Sequence, residues 1–186
     1  ASPQLTGWLA IGLTALMTGA LHEDGLADIC DGFWGGAAPE RRLQIMRDSR
    51  IGSYGAVGLI LSLGLRWLGL ATLAELEAIG ALIAVAMASR VAPAALMAWL
   101  PAARPDGLGA QGKGVGTASV ILAALLGGLP MLLLPQGLAA LAVAALAVAV
   151  LALIARRKLG GQTGDVLGAG QQVAEVALLL TLGAQG

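Results

Sequence analysis

Two stretches of this chain, Val115 to Leu134 and Gly137 to Ala155, contain no charged residue, and a third, Ile79 to Leu100, contains one, Arg90. A helix needs about 20 consecutive apolar residues to cross the hydrocarbon core of a bilayer, and only a segment that satisfies its own backbone hydrogen bonds can stay there. These runs constrain the chain to an all-α, membrane-embedded fold. Its 12% of charged residues is half of the roughly 25% that a soluble domain uses to cover itself. Hydrophobic segments near 5–22, 51–71, 79–100, 115–134, 137–155 and 166–183 predict a polytopic transmembrane bundle of about six helices, one integral membrane domain over 1–186, with the lipid bilayer as its surroundings.

Ala, Leu and Gly dominate, aromatic residues are 3% and there are 28 glycines. Small residues let helix backbones approach closely in lipid, where apolar burial gives little drive for association. A single cysteine, Cys30, excludes an internal disulfide framework. Eleven cations balance eleven anions, so no net field draws nucleic acid. The start, Ala1-Ser2-Pro3, has no basic region of the signal-peptide kind and no initiator Met; the chain is expected to begin inside a longer gene product.

The charges orient the bundle. With alternating crossings, segments 23–50, 101–114 and 156–165 share one side, which holds Arg41, Arg42, Arg47, Arg50, Arg104, Lys113, Arg156, Arg157 and Lys158. The other side holds Glu75 and Glu77 and no Lys or Arg. Basic loops stay cytoplasmic, so the polar stretch His22 to Arg50 is expected to face the cytoplasm. Arg66 and Arg90 fall within predicted spans. Arg66 is expected to snorkel towards the far side, while Arg90 and Glu175 are candidates to pair with each other or with another buried charge.

The chemistry concentrates in His22-Glu23-Asp24-Gly25-Leu26-Ala27-Asp28-Ile29-Cys30-Asp31-Gly32. At about 100° per residue, Asp24, Asp28 and Asp31 point within roughly 60° of one another on a helix. Three like charges on one face repel, and near a membrane their desolvation cost rises. A divalent cation offsets both, and carboxylate oxygens suit Mg²⁺ or Mn²⁺, which keep positions open for water and phosphates. The arginines that follow offer the competing reading, ion pairs. Gly32-Phe33-Trp34-Gly35-Gly36 is expected to break the helix and Pro39-Glu40-Arg41-Arg42 to start a short interfacial one. Gly52 and Gly55 allow close backbone approach, with free N–H groups at the next helix start able to hold a phosphate. Gly160-Gly161-Gln162-Thr163-Gly164-Asp165 forms another polar loop on the same side, where Asp165 either caps the last helix or joins the site. His22, beside the carboxylates, suits an acid–base or orienting role.

Four runs carry a resemblance: Thr18 to Asp28, Asp31 to Gly36, Ile45 to Gly55 and Gly161 to Ala169, with Ser89-Arg90 and Arg104…Gly107-Leu108-Gly109 besides. In these motifs the chain resembles the cobalamin 5′-phosphate synthase family, the adenosylcobinamide-GDP ribazoletransferases, from Thr14 to Glu175. The resemblance implies a Mg²⁺-dependent enzyme of the cell inner membrane, its active site on the cytoplasmic side. There a hydroxyl of α-ribazole, or of its 5′-phosphate, attacks the cobinamide-bearing phosphate of adenosylcobinamide-GDP and GMP leaves. It implies Asp24, Asp28 and Asp31 as metal ligands, and Asp48, Asp165 and His22 as catalytic candidates. Arg47, Arg50, Gly52, Arg90, Arg104, Lys113 and Thr163 are the phosphate-binding candidates. It also implies an additional N-terminal segment in the family pattern; a homo-oligomer is left open. The alternatives are a CDP-alcohol-type phosphotransferase, whose pattern of Ala-Arg after Asp-Gly and two later aspartates is not met here, and a transporter, whose inverted repeat is not visible.

Overall fold

The computed structural model describes residues 2–106 and 115–184. The described residues form nine helices: α1 (Pro3–Thr18), α2 (Leu21–Gly35), α3 (Pro39–Ile45), α4 (Ser53–Glu75), α5 (Ile79–Ser89), α6 (Val91–Trp99), α7 (Thr117–Leu132), α8 (Gly137–Leu159) and α9 (Gly164–Gly183). The spans Ser53–Glu75, Ile79–Trp99, Gly137–Leu159 and Gly164–Gly183 are each long and apolar enough to cross a membrane; α1 with α2 would make a fifth if that bent pair is one span. Many of the large apolar side chains left exposed, such as Leu9, Ile60, Ile83 and Leu146, lie on these apolar helices, the arrangement lipid tails favour. The chain is a helical membrane protein.

Two predicted spans are broken, each for a local reason. The segment expected at 5–22 ends at Thr18. Gly19 turns left-handed at φ 63, its N–H bonds to the Leu16 carbonyl and that of Ala20 to the Ala15 carbonyl, the pattern of a Schellman stop. With Ala20 also left-handed, α2 departs at 89° to α1. The segment expected at 79–100 divides at Arg90 because Pro93 lacks an N–H and its ring would clash with the carbonyl four residues back, at Ser89. The fifth segment runs on to Leu159, so Arg156, Arg157 and Lys158 sit in the last turn of α8, where cations suit the helix dipole.

Helix α9 is the centre, packing on α2, α4, α5, α6 and α8, and every residue from Val166 to Gln172 is buried. Its sequence divides the interior into layers. Val166, Leu167 and Ala169 belong to one apolar cluster with Leu26, Ile29, Phe33, Leu96 and Leu159. Leu178, Leu179 and Leu182 belong to a second with Leu73, Val85 and Met131. Between them α9 places Gln171, Gln172 and Glu175, all buried.

Glycines set how near α2 lies to its neighbours. A Cβ on Gly25 would stand 2.7 Å from the backbone oxygen of Asp165, and one on Gly168 would stand 3.1 Å from that of Leu21. On the other side, a Cβ on Gly58 would meet the Cys30 sulfur at 2.6 Å. Gly25→Val therefore forces α2 off α9, an overpacking worth about 1–3 kcal/mol. Its apparent Tm in detergent should fall by several degrees, since about 2–4 °C accompanies each kcal/mol at this chain length. Gly64→Ala, where a Cβ meets nothing within 4 Å, should leave the Tm in place.

Candidate active site at the membrane rim

The three segments that the charge pattern put on one side do come together. Arg42 donates to the Lys158 carbonyl at 3.0 Å, Lys158 Nζ donates to the Phe33 carbonyl at 2.6 Å, and Lys158 Nζ stands 3.8 Å over the Trp34 ring. The loop after α6 is pinned to the loop before α9: Gln162 N–H donates to Pro101 and Ala103 N–H to Gln162. That pinning delivers Arg104 to Asp165, Nη2 to Oδ2 at 2.7 Å. Asp165 also accepts from the Thr163 hydroxyl at 3.1 Å.

The cap of α9 is Thr163, whose Oγ1 accepts from the Val166 N–H; the carboxylate of Asp165 is not the cap and stays turned to Arg104. Asp31 is a cap, though of another helix. Gly52, at the N-cap of α4, has no side chain to offer, and Asp31 supplies the missing acceptor from α2. It takes the Gly52 N–H at 2.7 Å and the Gly55 N–H at 2.9 Å. The N–H groups that the sequence reading offered to a phosphate are thus held by this carboxylate, and a side chain on Gly52 or Gly55 would collide with it.

Asp24 and Asp28 have no hydrogen-bond or ion-pair partner among the described residues. Asp24 is exposed and Asp28 half-buried. Asp28 stands in the field of Asp165, Asp24 and Asp31, with Arg104 opposing them. The patch therefore carries more negative than positive charge.

The other candidates sit apart or are engaged. Asp48 and Arg50 pair with each other at 2.7 Å; the hydrogen bonds from Arg50 hold the Asp48 carboxyl at about 2, so it is ionised and only weakly basic, poorly matched to accept a proton near neutral pH. Arg47 pairs with Asp106 at 2.7 Å. Arg41, Asp48, Arg50, Gly52 and Tyr54 line, together with Asp31, a groove of about 320 Å³. Arg90 lies exposed at the α5–α6 break, donating to the Ala86 carbonyl. His22 is in the first turn of α2, in the field of Glu23, Arg90, Glu175 and Arg66, a turn or more inward of Asp28. Lys113, with Gly107-Leu108-Gly109, lies outside the described residues.

What sequence reasoning missed is Arg66. It does not snorkel: it is 2% exposed, donates from Nη1 to Glu23 Oε1 at 2.8 Å, and holds Nε 3.3 Å from Glu175 Oε2. Glu175 is paired with Arg66, not with Arg90. The signal was present in Arg66 and Glu175, two opposite charges set inside apolar runs, since charges in a bilayer almost always pair.

A model of the family described as cobalamin-5-phosphate synthase matches residues 1–183. This chain belongs to that family. Among curated synthase-family relatives, the adenosylcobinamide-GDP ribazoletransferase of Bradyrhizobium diazoefficiens is 48% identical over 187 residues, 98% of this chain and 72% of that protein. The proteins of the same description from Mesorhizobium japonicum and Azorhizobium caulinodans are 49% and 48% identical, over 92% of this chain and 68% and 69% of theirs. No solved structure matches. In this synthase-family chain, Asp31 is assigned a structural duty by its two N–H partners. Asp31→Ala should cost about 0.5–2 kcal/mol, the usual loss for a removed N-cap, read as a lower apparent Tm in detergent. Asp24→Ala, with no such partners, should leave the Tm within error.

Proposed function

We propose that this chain catalyses the reaction for which its relatives are named: transfer of the adenosylcobinamide phosphate from adenosylcobinamide-GDP to α-ribazole, or to α-ribazole 5′-phosphate, with release of GMP. The observation that carries the reading is the meeting of Asp24 and Asp28 of α2 with Asp165 of α9 at the rim, an acidic surplus opposed by Arg104. The family assignment supports these substrates. The cation-rich loops on the same side support the cytoplasmic face of the inner membrane for it, by the positive-inside rule.

Mg²⁺ fits the residues present. No group of three or more His, Cys, Asp or Glu donors is assembled for a metal among the described residues, and Mg²⁺ does not need one. It keeps several waters and is usually held by one or two carboxylates together with substrate phosphates. Asp24 and Asp28, one turn apart on α2 and without other partners among the described residues, would hold it. When bound, the ion neutralises the diphosphate and the charge that develops on the departing phosphate.

The protein's own groups do the remainder. Arg104, already aimed at an acidic oxygen, orients the phosphate oxygens by charge-assisted hydrogen bonds. A carboxylate of the Asp24, Asp28 and Asp165 set takes the proton of the attacking hydroxyl. A new O–P bond forms to the cobinamide-bearing phosphorus while its bond to the bridging oxygen of the diphosphate breaks, and GMP carries that oxygen away. Phosphoryl-type transfer asks a protein mainly for positioning and charge stabilisation, which a rigid rim of packed helix ends provides.

The test is GMP release from adenosylcobinamide-GDP and α-ribazole by the purified protein in lipid, with Mg²⁺ and with EDTA. Release is expected with Mg²⁺ alone. Asp24→Asn and Asp28→Asn should each lower kcat by about 10²-fold or more, the scale for removing one charge-stabilising group, with Tm unchanged. Folded protein that releases no GMP with Mg²⁺ present would remove this reading.

A further inference from the structure

Three helices carry the rim site: α2 with Asp24, Asp28 and Asp31, α4 with the Gly52 and Gly55 N–H groups, and α9 with Asp165. The same three meet again deeper in the bundle, with one charge each. Glu23 of α2 and Glu175 of α9 both lie against Arg66 of α4. Gln172 Oε1 accepts from Arg66 Nη1 at 3.2 Å and from the Ser62 hydroxyl at 2.9 Å, while Gln172 Nε2 donates to Glu23 Oε1 at 3.0 Å. Gln171 donates to Glu175 at 2.7 Å and to Ser89 of α5 at 3.2 Å. This polar layer is what separates the two apolar clusters.

Stability does not account for it. Replacing a buried ion pair with apolar side chains of similar volume is often neutral or stabilising, and the best-attested use of such pairs is to fix register. In a bundle of Leu, Ala and Gly the apolar contacts alone define register weakly, because a slide along a helix exchanges one small apolar side chain for another. A charge set at one depth does not tolerate that slide. Glu23 immediately precedes Asp24, and Asp28 follows five residues on, about 7.5 Å along the axis. A slip of α2 by one residue moves those carboxylates about 1.5 Å and turns them by about 100°, off Asp165.

We propose that Arg66 is a positioning residue for the transfer: from α4 it holds Glu23 and Glu175 at one depth, and so sets α2 in the register that aligns Asp24 and Asp28 with Asp165. Arg serves here where Lys would not, because its planar fork reaches a carboxylate on each side and an amide oxygen between them. The inference rests on the proposed transfer for its kinetic readout and on the helix geometry alone for its structural one.

Two variants and two readouts test it. Arg66→Lys keeps the charge and loses the fork. Arg66→Met on its own strands two carboxylates, so the second variant is the neutral triple Arg66→Met, Glu23→Gln, Glu175→Gln. In both, folded protein by Tm should retain KM for adenosylcobinamide-GDP within about threefold while kcat falls by about 10²-fold, the effect a misplacement of about 1 Å carries. In a Cys30→Ala background, spin labels at Gly35→Cys of α2 and Leu180→Cys of α9 should report a shifted or broadened distance in the triple variant. Parental kcat in the folded triple variant, or an unchanged label distance, would overturn the proposal. If the parent protein releases no GMP, the transfer reading falls while the label distance still decides the register.

Discussion

Helix α2 brings four carboxylates, Glu23, Asp24, Asp28 and Asp31, and no Lys or Arg of its own, against two largely apolar helices, and the surrounding structure answers the cost of that burial one carboxylate at a time. Glu23, the deepest, receives a guanidinium. Asp31, at the outer end, receives the N–H groups of a helix start, where the positive end of the dipole favours an anion. Asp24 and Asp28 receive neither. Asp28 instead feels three further carboxylates and one arginine. In the proposed transfer these two, with Asp165 across the Gly25 contact, are where a ligand's charge would be answered.

That partition also explains why the helix contacts are so small. Arg66 and the α4 start can hold the two ends of α2 only if α2 lies almost on their backbones. Gly25, Gly58 and Gly168 let it do so. The same closeness fixes Asp165 relative to α2, because the atom that a Gly25 side chain would strike belongs to the Asp165 backbone itself. Packing and site geometry are one constraint here, since in lipid the close approach of backbones supplies the association that apolar burial supplies in water.

The membrane class, most span boundaries and the shared side of the polar loops were legible in the sequence, because hydropathy and charge bias act over many residues and survive local irregularity. The break at Arg90 was legible in principle from Pro93, but the apolar run through it hid a stop that depends on one missing N–H. The right-angle turn at Gly19 and Ala20 depends on two left-handed residues, and Ala20 carries no sign of that state in its type. Spacing put Asp24, Asp28 and Asp31 on one face correctly. Periodicity cannot say that a 60° fan straddles two neighbours, so that Asp31 meets the start of α4 while Asp24 and Asp28 lie in the field of Asp165 in the first turn of α9. Arg66 was misread because snorkelling needs only a long side chain and a nearby surface, whereas pairing needs partners about 40 and 110 residues away in the chain, which no local pattern reports.

The depth of the polar layer bears on what kind of chemistry the bundle can host. Gln171, Gln172 and Glu175 occupy the second and third turns of α9, so the cluster on the rim side of the layer is short and the one beyond it long. A charged donor would lack polar partners in the long apolar half. At the rim the packed helix ends expose carboxylates to water on one side and rest on a fixed ionic layer on the other. The proposed diphosphate chemistry asks for both conditions at once: solvent access for a large leaving nucleotide, and a backing rigid enough that the carboxylates keep their places. In the proposed transfer, Arg66 and its two glutamates would supply that backing from inside the bundle.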